Sequence, residues 1–100
     1  MNKEKEILEY SNPKSVLRNA KKYLGNDVKI YLSSKPEKKY MVFNPDKNHW
    51  IHFGQMGYED FTKHLNPVRR NSYLQRTAFM RGNWRNDKYS PNNLSRNILW

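Results

Sequence analysis

The chain has 100 residues, no cysteine, and 19 lysines and arginines against nine acids, for a net charge of +10 at pH 7. That excludes disulfides and thiolate metal sites, bounds the chain to one domain with a modest core, and fits a reducing compartment. Mean hydropathy is −1.13 and no apolar run approaches the ~20 residues of a bilayer-spanning helix, so no membrane segment is expected.

Residues 1–11 read as an N-terminal arm or a short frayed helix. They mix charges of both signs and lack the apolar core of a signal peptide. A single α+β domain is expected over 12–100. Asn12-Pro13 is a helix start, because Asn caps and Pro suits the first helical position. Val16, Leu17, Ala20 and Leu24 follow at helical spacing, and Gly25 supplies the stop. Lys14, Arg18, Lys21 and Lys22 take the opposite face.

Residues 28–33 alternate as a half-buried strand with Val28, Ile30 and Leu32 on one side. Residues 40–43 and 50–53 form two more strands around an Asn44-Pro45-Asp46 turn, in which Asn48 is the residue able to turn left-handed. Connections this short permit an antiparallel meander and no parallel crossover. Gly54 and Gly57 then turn the chain into a short helix over 59–65. Asn66-Pro67 repeats the helix start, for a helix expected to reach Arg81 with Gly82 as its stop. Ser90-Pro91 opens a third helix, and Ile98, Leu99 and Trp100 should dock on the body of the domain. The fold class is thus α+β: a three-stranded antiparallel β-meander packed with several short α-helices. Trp50, Phe53, Phe61, Leu74 and Ile98 are expected in the core, with aromatic rings dominating it.

The charge is unevenly distributed in kind. Six of the seven arginines follow Val68, and residues 61–86 contain no acid. Arginine forks bidentately onto phosphate, which lysine cannot do. Lys63, Arg69, Arg70, Arg76, Arg81 and Arg85 are therefore the expected phosphate contacts of a polyanion partner. Arg69, Tyr73, Arg76 and Met80 share one stripe of the helix, with Arg70, Leu74, Thr77 and Arg81 beside it. Tyr31 and Tyr40, assigned to the less apolar sheet face, are the expected base-stacking residues.

The chemistry of catalysis is sparse. There is no Gly-rich phosphate loop, G-x-S-x-G or H-E-x-x-H. His52, Asp60 and His64 are the only combination that suggests a metal-dependent nuclease. His49 and His52 are three apart on a strand and so point to opposite faces. No catalytic residue, metal site or cofactor is assigned.

The stretches KYLGNDVKIYLSSKPEKKYMVF, WIHFGQMGYEDFTKHLNP, RRNSYLQR and NWRNDKYSPNNLSRNILW resemble a family of small basic proteins of nucleocytoplasmic large DNA viruses, with shorter phage relatives. The resemblance covers residues 20–100. It implies a viral protein of the virion or of the host cytoplasm, with a place in genome packaging or the particle, and carries no catalytic residue. Similar proteins often place Gly in the first hairpin turn, where this chain has Asn44-Pro45-Asp46-Lys47-Asn48-His49. The function expected is non-enzymatic binding of nucleic acid, DNA above all, mainly through its backbone. A capsid-associated protein that docks on other viral capsid or core proteins is the alternative, and a nuclease the second.

Overall fold

The computed structural model describes residues 2–100. Three helices begin where a short polar side chain precedes a proline. Asn12 accepts the Lys14 and Ser15 amides at 3.1 and 3.4 Å and starts α2 (Pro13–Leu24). Asn66 accepts the Val68 and Arg69 amides at 3.0 and 3.2 Å and starts α4 (Pro67–Ala78). Ser90 accepts the Asn93 amide at 3.2 Å and starts α5 (Pro91–Leu94), which widens into a π-type turn over Ser95–Leu99. In each, the side-chain oxygen satisfies amides that have no partner within the helix. Two further α-helices, α1 (Lys3–Glu6) and α3 (Phe61–His64), are as short as α5. α4 stops at Ala78, short of the expected Arg81, and Gly82 lies beyond it in the left-handed region at φ +98°.

The sheet is an antiparallel meander in the order β1 (Tyr31–Leu32), β2 (Lys38–Asn44), β3 (His49–Gln55). Asn48 takes the left-handed conformation in the hairpin turn, at φ +56°. β1 is only two residues long, because Val28 and Ile30 reach the core without pairing in the ladder. Leu32 faces Tyr40, which faces Phe53, and Val42 faces Ile51. These residues share the inner face. Tyr31, Met41 and His52 line up on the outer face, with Phe43 opposite Trp50.

The core lies between the inner face and the helices. Val16 and Ala20 of α2, Tyr40, Val42 and Phe53 of the sheet, and Leu94, Ile98 and Leu99 are each at most 2% exposed. Full burial of such a side chain contributes about 1.5–3 kcal/mol. Ile7 belongs to the same cluster at 1%. Of the two readings of this segment, an arm or a short helix, residues 3–9 take the helical one. α1 leads through a 3₁₀ turn over Ile7–Glu9 and is anchored by an apolar side chain that the charged flanks conceal in the sequence. Other expectations change. Trp50 is 44% exposed and Leu17 39%, while Phe61 and Leu74 are half-buried. Among the described residues no helix is long and apolar enough to cross a membrane.

Candidate nucleic-acid interface

Consecutive strand residues point to opposite faces, yet Lys39 and Tyr40 are both buried. Both faces of β2 are covered at this point. Lys39 Nζ donates to Asp60 Oδ2 at 3.0 Å and to the Tyr10 carbonyl at 3.3 Å. The side chains of the ion pair are 3% and 1% exposed. Thr62 Oγ1 donates to the other Asp60 oxygen. Since the Thr62 proton is used there, Ser11 donates to Thr62 Oγ1, at 3.2 Å. Tyr40 in turn donates to Ser11 at 2.7 Å. A directed chain thus runs Tyr40, Ser11, Thr62, Asp60, and is closed by Lys39. Burial lowers the Lys39 pKa, against the opposing pull of Asp60, and raises that of Tyr40. Tyr40 is accordingly a core residue with its hydroxyl engaged, and the stacking role expected for it is withdrawn.

Beside this network lies a cleft of about 620 Å³ between the 53–59 segment, α4 and the C-terminal helix. Arg69, Tyr73 and Arg76, one stripe of α4, line it together with Met80 just beyond the helix, and Lys38 lines it from β2. The acid on the rim is Glu59, 3.2 Å from Arg69. Both partners are about half exposed, so this pair is weak and exchangeable. Arg76 lies over the Tyr73 ring at 5.5 Å. Lys39 touches the floor, but Asp60 neutralises it.

The six predicted basic residues therefore divide. Arg69 and Arg76 face the cleft. Arg70 lies elsewhere on α4, its Nε 2.5 Å from the Trp100 carbonyl and its guanidinium over Phe61. Arg85 folds back on the Ala78 carbonyl and stacks on Trp84 at 4.4 Å. Lys63 and Arg81 are exposed and do not line the cleft. Lys38 was missed, because a lysine among lysines carries no signal in the sequence. α4 itself buries Thr77 and is fastened mainly by polar and ring contacts. Arg96 donates to the Leu74 carbonyl at 2.6 Å, Asn92 donates to the Thr77 carbonyl at 3.2 Å, and Tyr73 stacks on Trp100 at 4.1 Å.

The far end of the hairpin is open. Trp50 meets Tyr31 and Phe43 edge-on, with ring centres 5.6 and 5.4 Å away. Tyr31 is 45% exposed, as its expected stacking role requires, and Phe43 is 38% exposed. Phe43 and Trp50 were not predicted for this face.

His52 and Asp60 have hydrogen-bond partners of their own, whereas His64 is engaged at Nδ1 and its buried Nε2 has no partner among the described residues. His52 Nδ1 shares a 2.6 Å hydrogen bond with Ser33 Oγ. Asp60 is held as described. His64 Nδ1 accepts the Asn66 amide at 2.9 Å, and its ring lies 5.1 Å from Trp100. Both histidines have lowered pKa values, through burial first and then nearby cations: Lys35 for His52 and Arg69 for His64. Among the described residues no three His, Asp or Glu side chains gather as a metal-ligand group.

The model of a family described as of unknown function (DUF5754) matches residues 28–77. The chain belongs to that family. The DUF5754 segment holds the whole sheet, α3 and nearly all of α4, and so contains both the cleft arginines and the three open rings; Arg81 and Arg85 fall outside it. No curated protein and no solved structure gives a significant match.

Proposed function

We propose that this DUF5754 protein binds nucleic acid, chiefly by its phosphates and with little sequence preference. The observation that carries the reading is the cleft, where Lys38, Arg69 and Arg76 converge with Glu59 as the acid on the rim. Three cations at one concave surface suit a string of phosphates better than a single carboxylate. A viral setting and a part in genome packaging rest on the resemblance of the sequence motifs alone. A non-catalytic role agrees with the engaged state of His52 and Asp60.

Docking on another protein of a particle is the second reading. It is favoured by Phe79, Val68 and Tyr58, exposed by 87%, 73% and 70%, since such exposed rings and aliphatic groups are typical of interface cores. Arg69→Gln with Arg76→Gln separates the two. On duplex DNA the double variant should flatten the slope of log affinity against log salt by about two, at ~0.9 for each phosphate contact, and equally for all sequences. A folded variant with the wild-type slope removes the cleft from the interface.

A further inference from the structure

We propose that the open sheet face at Tyr31, Phe43 and Trp50 is a base-stacking platform that makes single-stranded nucleic acid the preferred ligand. The inference rests on the nucleic-acid reading and deepens it. The three rings form one contiguous surface through Trp50, and each keeps between 38% and 45% of its surface in solvent. Flat aromatic surface on a sheet is what an unpaired base needs. Its π-face stacks without regard to sequence, whereas the bases of a duplex are already stacked on each other.

Charge decides the occupant. His52, on the same face, lies in the field of Lys35 and Lys3, with Glu37 opposing them. Lys3 Nζ is fixed at the rim by the Ser33 and Lys35 carbonyls, at 2.7 and 2.8 Å. The face is therefore aromatic at its centre and cationic along one border. That is the pattern of a ligand with flat rings strung on a polyanion. A second copy of the chain would bring another +10 against this border, which opposes self-association. An acidic peptide would satisfy the lysines and leave the rings without a flat partner.

The test compares an oligothymidylate of about 15 nucleotides with an abasic phosphodiester strand of the same length, at one salt concentration. The wild type should bind the oligothymidylate about 10-fold more tightly or better, since one stacked base is worth roughly a factor of 5 to 150. Trp50→Ala should remove most of that preference and leave abasic binding and the salt slope unchanged. If that variant fails to fold, Tyr31→Ala, on the edge strand, carries the same expectation. Equal binding of both strands by the wild type, or a folded Trp50 variant that keeps the preference, overturns the platform while the phosphate-binding cleft stands. Failure to bind either strand at low salt overturns both readings. A wild type that sediments as a dimer, with a monomeric Trp50 variant of equal oligothymidylate affinity, assigns the face to a second copy instead.

Discussion

The two ends of one hairpin are built on opposite principles. At the Lys39 end, both faces are covered, and polar groups are admitted only because each finds a partner: Lys39 with Asp60, Thr62 with Asp60, Tyr40 with Ser11. At the Phe43 end, the inner face is packed by Val42 while the outer face leaves three rings in water. The residue types at the two ends invert the usual expectation of charge outside and rings inside. What covers the strand decides this, and the covering comes from Tyr10, Asp60 and Leu99, which lie far away in the chain.

The strongest way to break the contrast is to unpair the closed end. Lys39→Ala leaves the Asp60 carboxylate buried and without its cation, and should cost about 3–5 kcal/mol, read by chemical denaturation. A loss below about 1 kcal/mol would mean that water reaches Asp60 and that the end is not closed. Gly54→Ala attacks the same end through shape. Gly54 has φ +82°, and an added Cβ would stand 2.8 Å from Leu99 Cδ1 and 3.1 Å from Lys39 Cβ. The combination of backbone strain and overpacking should cost about 1–3 kcal/mol. At the open end, Trp50→Ala removes two edge contacts of a half-exposed ring, and a loss of about 1 kcal/mol is expected. A loss as large as that from Lys39→Ala would show Trp50 to be structural.

The contrast also has a pH dependence. The folded-state pKa values of His52 and His64 lie below the ordinary 6.5. The unfolded chain therefore takes up protons first as pH falls, and in that window the unfolded state holds more protons than the folded one. Stability should be full above pH ~6.5 and decline as the pH falls through the lowered folded-state values. The decline should be smaller in His64→Gln and in His52→Gln. An unchanged melting temperature between pH ~7 and ~5 would contradict the assignment.

Local signals were well legible. The three cap-and-proline starts, the meander and the left-handed Asn48 follow from side-chain chemistry within a few residues. Faces were legible only where the register was respected. Trp50 and Phe53 are three apart on a strand and cannot both face the core; Phe53 opposite Tyr40 takes the core, and Trp50 is left outside. Tyr31 and Tyr40 were likewise placed on one face, but Tyr31 pairs with Met41, one residue along. The stripe Arg69, Tyr73, Arg76 was readable from helical spacing, whereas Met80 lines the cleft from beyond the end of the helix. That Lys38 would face it, and that Arg70 and Arg85 would be held by the Trp100 and Ala78 carbonyls, 30 and 7 residues away, depends on contacts that periodicity does not encode.

The most direct test of the central claim is the affinity of the wild-type protein for random-sequence duplex DNA between about 50 and 200 mM salt. Three phosphate contacts from Lys38, Arg69 and Arg76 predict a slope of log affinity against log salt of about −3, and steeper if Lys63 or Arg81 joins them. The account expects a slope in that range, the same for unrelated sequences. A slope near zero, or no binding at the lowest salt, would contradict it.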